Sequence, residues 1–303
     1  MDQDAKVENP SRRNFLKSSA IAAAGTASLW AASRFGGGRR TDTAVGSGLK
    51  VEPIAPTEAS TFGDHYINTA FPGLDGKEKQ AARENIKLAR ANVKGILDND
   101  SYESLRAYES SVKLAARSAG MPSDVGELFL GLIATESGGR SDALSEDGAA
   151  GLTQMGEDVA KRQNLKLEDR FIPAKVLPAS AKDIAEQNKL RYDSWPMAIW
   201  AWHTGPGGMY TILNEYLHDE FGDPKHAIEG ATYQQGLEVI DYFKSKIRQR
   251  NVNVHRVLKN PAVAKLLADK DNWDYTDEYV YRAVAGAGLY ADYKSLRSQT
   301  GNG

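Results

Sequence analysis

The chain contains no cysteine. Disulfides and thiolate metal sites are therefore excluded. That does not argue against export, because a chain of 303 residues can build a core that needs no covalent staples. Strand-like alternation is sparse and no internal repeat is present. A long hydrophobic run is also missing. The Ala-rich stretch from Ser18 to Ser33 is short and broken by Gly, Ser and Thr, which makes it a poor membrane span. Net charge is small, −2 for the whole chain. Without the first forty residues, which carry seven basic and three acidic side chains, it is −6. An acidic body is a poor nucleic-acid binder, so no nucleic-acid partner is expected. What remains is 41% hydrophobic and 26% charged, the balance of a soluble globular protein with room for one or two domains.

The most informative stretch is Val125 to Met155, VGELFLGLIATESGGRSDALSEDGAAGLTQM. Val125, Leu128, Phe129, Leu132 and Ile133 recur at i, i+3, i+4, i+7 and i+8, one face of a helix. The next position in that phase is Glu136. A carboxyl is thus aimed along the buried stripe at the helix's C-terminal end. Desolvation and the negative end of the helix dipole both disfavour its charged form there. A carboxyl kept protonated near neutral pH is what a general acid needs. Gly138 and Gly139 stop the helix just beyond it. Periodicity alone leaves open a glutamate that tips out to solvent or pairs with Arg140.

Around this stretch the chain reads as mostly α. Residues 1–35 hold a basic, then apolar, segment, and 36–76 read as a linker rich in Gly, Pro, Ser and Thr. Two helices, Lys77 to Asp98 and about Tyr102 to Ala119, form a helical brace over 77–120. Ile86, Leu88, Ala89, Val93, Ile96 and Leu97 are expected on its docked face. Asp124 with Glu127 is a candidate capping box for the Glu136 helix. A helix is expected after Gln154 through about Gln163, then a connector from Leu165 to Pro178 and a helix from Ala179 to Leu190. Trp195 to His203 is a short apolar helix with Pro196 in its first turn, broken at Gly205-Pro206-Gly207-Gly208. Further helices are expected over about Tyr233 to Arg250, Val254 to Ala268 and Tyr279 to Tyr293.

The residues from Thr135 to Met155 resemble the signature of the lytic transglycosylases of the goose-lysozyme-like superfamily. There a Glu-Ser pair, here Glu136-Ser137, precedes a small-residue loop and a Gly-Leu-x-Gln-hydrophobic segment, here Gly151-Leu152-Thr153-Gln154-Met155. Ala198 to Gly208, AIWAWHTGPGG, resembles the third motif of that family, with Trp202-His203 where a Tyr-Asn pair is commonest. Tyr275 to Arg282 resembles the fourth, Thr-x-x-Tyr-Val-x-Arg, with Tyr279 as its tyrosine. Ser11-Arg12-Arg13-Asn14-Phe15-Leu16-Lys17 resembles a twin-arginine export signal. No clean Ala-x-Ala follows, so the segment could be retained as a membrane anchor, and no Cys is available for lipidation.

The resemblance implies a lysozyme-like catalytic domain over 121–300, with a helical insertion at 211–274 that packs on the domain or caps one end of the cleft. It implies peptidoglycan glycan strands as substrate, the twin-arginine machinery as export partner, a periplasmic or envelope location, and no cofactor or metal. Glu136 is the implied catalytic acid and base. Ser137, Gln154, Met155, Trp202, His203 and Tyr279 are the implied substrate-binding set, Tyr279 through a hydroxyl that reaches the acid. As bare features, Tyr279 is also a packing residue, Gln154 a solvated cap and His203 a satisfied structural histidine. The implied reaction cleaves the β-1,4 bond after N-acetylmuramic acid, and the sugar's own 6-hydroxyl closes a 1,6-anhydro ring. Two alternatives stand beside it. One is a lysozyme-type hydrolase that uses Asp142, Glu146 or Asp147 to activate water. The other is an inactive glycan-binding protein.

Overall fold

The computed structural model describes residues 64–226, 233–269 and 277–299. The expected export signal, most of the expected linker, two parts of the 211–274 insertion and Thr276 of the fourth motif lie outside them. The described residues are helices and turns, with isolated antiparallel bridges only at Leu144–Ala150 and Ala150–Met155. The expected mostly α class holds. In chain order the helices are α1 (Asp64–Ala70), α2 (Gly76–Lys94), α3 (Asn99–Ser118), α4 (Ser123–Ser137) and α5 (Glu157–Arg162). A 3-10 turn (Leu167–Phe171), α6 (Pro173–Gln187) and a π turn (Asn188–Tyr192) follow. The chain then forms α7 (Trp195–Phe221), α8 (Tyr233–Gln249), α9 (Val254–Lys259), α10 (Pro261–Ala268) and α11 (Tyr279–Gln299).

The centre is α4. Its predicted stripe, Val125, Leu128, Phe129, Leu132 and Ile133, is buried, and so are Gly126, Leu130, Gly131 and Ala134 on its other faces. A helix apolar all round belongs inside a core, and α11, α3, α1 and α7 pack around this one. α11 is its main neighbour and is buried continuously from Tyr279 to Tyr290. The two helices touch backbone to backbone. A Cβ on Gly131 would lie 1.9 Å from the Ala283 carbonyl oxygen, and one on Gly286 would lie 2.8 Å from the Gly131 carbonyl oxygen. Glycine at both positions permits this approach, and no other side chain fits.

The N-terminal side differs from expectation. Residues 64–70, expected within a linker, form α1, and Ile67, Ala70 and Phe71 are fully buried. Seven residues are too few for a helical period to stand out among Gly and Pro neighbours. α1 also displaces the expected capping box of α4. The Thr69 hydroxyl donates to Asp124 Oδ2 at 2.8 Å, and α4 starts behind Pro122 with no side-chain cap. A reciprocal box does form on α2, between Asp75 and Glu78. On α2, Ile86, Ala89, Val93 and the following Leu97 dock, but Leu88 is 67% exposed. Two residues along a helix turn the side chain by about 200°, which puts Leu88 opposite Ile86.

Downstream, the expected connector from Leu165 to Pro178 is largely helical. The 3-10 turn fills its first half and α6 begins at Pro173. Pro173 sits at the first helical position, where its missing N–H is no loss, whereas Pro178 lies inside the helix and leaves one turn without a backbone donor. The expected break at Gly205 is a kink instead. Gly205 takes φ 69° and ψ 160°, and the helix resumes at once through Phe221.

His255 of α9 ties the C-terminal helices to the N-terminal turn. It is buried, its Nδ1 is 2.6 Å from the Tyr281 hydroxyl, and its ring meets Phe71 edge-on. Desolvation, helped by Lys259 and Arg256 and opposed by Glu78, pulls its pKa from 6.5 to about 4.

Two outcomes are expected. Gly131→Ala forces α4 and α11 apart and lowers unfolding stability by about 3 kcal/mol, at the upper end of overpacking costs, measured by denaturant titration. Between pH 6.5 and 4 the unfolded chain protonates His255 while the folded one does not. Stability should therefore fall as pH drops through that window, and His255→Gln should flatten the dependence in thermal melts.

Candidate active site

Glu136 is the penultimate residue of α4, two positions before Gly138, which ends the helix in the left-handed conformation. Its side chain is 7% exposed, so the buried phase read from the apolar stripe holds to the end of the helix. The Tyr279 hydroxyl donates to Glu136 Oε1 at 2.6 Å. Tyr279 is the first residue of α11 and is itself buried. The glycine crossing described above is what brings these two helix ends into hydrogen-bonding range. The His203 ring lies flat on the Tyr279 ring, with centroids 4.3 Å apart and planes 9° from parallel. Glu136, Tyr279 and His203 therefore form one contact series across α4, α11 and α7.

The Gly151–Met155 segment closes the other side of the α4 terminus. It folds back on residues 143–150 through backbone bonds: Gly151 N–H to Ala143 O at 2.8 Å, Ala150 N–H to Met155 O at 3.1 Å, and Met155 N–H to Ala150 O at 2.9 Å. Four elements then hold it. From α4, the Ser137 hydroxyl donates to Leu152 O at 2.7 Å. From α7, Trp202 Nε1–H donates to Thr153 O at 3.0 Å. From α6, the Ser180 hydroxyl is 2.8 Å from that of Thr153. From the 3-10 turn, buried Arg170 donates through Nη1 to Gly148 O at 2.6 Å and Met155 O at 3.1 Å. Gly151 has φ 75°, and a Cβ there would meet the Arg170 carbonyl oxygen at 1.9 Å. A side chain is excluded by both conformation and space.

The structure assigns different surroundings to the six expected substrate-binding residues. Tyr279 and His203 are joined to Glu136 as described. Trp202 is half-buried and pins the loop. Met155 is fully buried, as a packing residue beneath the loop. Ser137 is buried and its hydroxyl is engaged on both sides, donating to Leu152 O and accepting from Gly139 N–H at 3.1 Å. Its place is structural, a latch between helix and loop. Gln154 takes φ 49°, and its Nε2 donates to Ala143 O at 3.2 Å and Gly151 O at 3.1 Å. Its side chain braces the loop it stands in, so it is not the solvated cap of a helix. Asp142, Glu146 and Asp147 are exposed.

Sequence reasoning did not single out Arg170, Gly131 or Gly286. Arg170 sits in a stretch with no periodicity and its partners are backbone carbonyls, which carry no residue signature. Gly131 did leave a trace, an isolated glycine inside an apolar helix, a known sign of close backbone approach.

Residues 113–219 match the Transglycosylase SLT domain, and residues 9–28 match the TAT (twin-arginine translocation) pathway signal sequence. No curated protein matches the chain. The chain thus carries a transglycosylase SLT domain, a lysozyme-like all-helical fold of lytic transglycosylases that act on peptidoglycan. Its signal directs it by the twin-arginine route to the periplasm or envelope. Among the described residues no helix is long and apolar enough to cross a membrane. Tyr279 lies well past the end of the matched domain.

Ser137→Ala removes the latch and leaves the Leu152 carbonyl short of a donor. Denaturant unfolding should show a loss of about 1–2 kcal/mol. KM for glycan strands should stay near the wild-type value, whereas a direct substrate contact would raise it.

Proposed function

We propose that this enzyme cleaves the β-1,4 bond between N-acetylmuramic acid and N-acetylglucosamine and releases 1,6-anhydromuramic ends, with Glu136 as general acid and then general base. The observation that carries this reading is the buried Glu136 carboxyl with the Tyr279 hydroxyl on its Oε1. The carboxyl is withdrawn from solvent and held by one donor, which suits a group that must meet the glycosidic oxygen in a fixed position. The tyrosine bond fixes the rotamer and assigns Oε1 the accepting role, so the transferable proton belongs on Oε2.

The steps follow from one carboxyl acting twice. Glu136 protonates the glycosidic oxygen as the bond to the anomeric carbon breaks, and the N-acetylglucosamine side leaves as an alcohol. The resulting carboxylate takes the proton of the muramic 6-hydroxyl, whose oxygen attacks the anomeric carbon and closes the anhydro ring. Donor and acceptor belong to one sugar, so the step is intramolecular and gains the corresponding effective molarity. No water needs a positioned base. The carboxylates a hydrolase would recruit from this loop, Asp142, Glu146 and Asp147, stand exposed on it, which favours the internal route over a two-carboxylate mechanism. The loop that packs against the acid is held to four elements and can present backbone groups in fixed positions to the sugar.

Glu136→Gln preserves shape and removes the transferable proton. Digestion of isolated sacculi by the purified variant should fall by at least about 10³-fold with the melting curve unchanged. Mass analysis of products released by the wild type should give muropeptides one water lighter than hydrolysis products. Full activity in the variant would remove Glu136 from the mechanism, and hydrated products would replace the transglycosylase with a hydrolase.

A further inference from the structure

We propose that His203 is a positioning residue that keeps Tyr279 on Glu136 through its flat ring, and that it does not act as a hydrogen-bonding contact for the sugar. This rests on the function proposed above. The Tyr279 hydroxyl is at the far end of its ring, so a small tilt of the ring breaks a 2.6 Å bond. Tyr279 is the first residue of α11, so its ring stands at the end of that helix. The imidazole of His203 covers one face of that ring, parallel within 9° and 4.3 Å away.

His203 is held firmly enough for this task. On one side of it Trp202 is fixed to Thr153 O. On the other, Thr204 bonds through Oγ1 to Trp200 O at 3.3 Å and Gly205 O at 3.1 Å, immediately before the Gly205 kink. The kink turns the α7 backbone directly after the ring. α7 thereby supports both sides of the site, the loop through Trp202 and the tyrosine through His203. In the family this chain resembles, an asparagine is commonest at the position of His203. An asparagine keeps hydrogen-bonding capacity but offers only a small planar surface, and a phenylalanine does the reverse.

That contrast supplies the test. His203→Ala, His203→Phe and His203→Asn are assayed on soluble uncrosslinked glycan strands, with anhydro-ended products counted by mass. Expected are a kcat about 10²-fold lower for the Ala variant with KM near wild type, recovery of most of that loss by Phe, and no recovery by Asn. Recovery by Asn and not by Phe overturns the proposal and makes His203 a sugar contact. A change in KM alone, or no change in kcat for Ala, overturns it as well. If the Ala variant does not fold, the Phe and Asn variants still decide, since both retain a planar side chain. Anhydro products from the wild type together with wild-type kcat in the Ala variant sink the stacking role only. A wild type that releases no anhydro products sinks the function reading, and this proposal with it.

Discussion

Two helices meeting with no side chain between them is the constraint on which the site depends. Gly131 and Gly286 bring α4 and α11 to backbone contact, and each would collide with the other helix if it carried a Cβ. Glu136 stands five residues after one glycine, and Tyr279 seven residues before the other. Both side chains therefore radiate from the same crossing. Their 2.6 Å bond is set by how closely the backbones approach. A crossing opened by one methyl group displaces the tyrosine by more than a hydrogen bond can span. Core packing and the geometry of the Glu136–Tyr279 pair are here the same quantity.

The second constraint is polar. The loop from Ala143 to Met155 has no regular secondary structure to pair its backbone, yet much of it is buried. Its carbonyls must find donors, because an unpaired buried carbonyl is costly. Ser137, Trp202, Arg170 and Gln154 supply them from α4, α7, the 3-10 turn and the loop itself. Several residues that resemble a substrate-binding set thus do structural work first. Ser137 and Met155 are the clearest cases, one a latch and one a buried support. The site also reaches past the recognised domain. The match ends at 219, whereas the tyrosine on the acid comes from α11. The chain between brings α8, α9 and α10, with His255 locking α9 to α11 through Tyr281. α11 is thus also tied to the chain by His255, away from the Glu136–Tyr279 pair.

Legibility followed length and period. α4 was readable because five apolar residues kept one phase over nine positions, and the same phase carried the buried orientation of Glu136. α8 and α11 were readable for the same reason, and the break at Gly205 was visible as a glycine cluster. α1 was not, since it is two turns long and its burial comes from neighbours far along the chain. The start of α6 is hidden because its prolines read as connector, although proline at the first turn is compatible with a helix. Leu88 was assigned to the docked face on hydrophobicity alone, against its own helical phase.

By itself, the amino-acid order determined the export signal, the helical class, the phase that points Glu136 inward and the glycines that end its helix. Each is a local property, legible from residues within a turn or two of one another. Only tertiary structure decided which of the matching residues reach the acid. The Tyr279 bond, the His203 stack and the Arg170 clamp join positions far apart in the chain, and their distances depend on a helix crossing whose tightness no single segment encodes. A side chain's type limits what it can bond to. The partner it finds depends on how the rest of the chain packs.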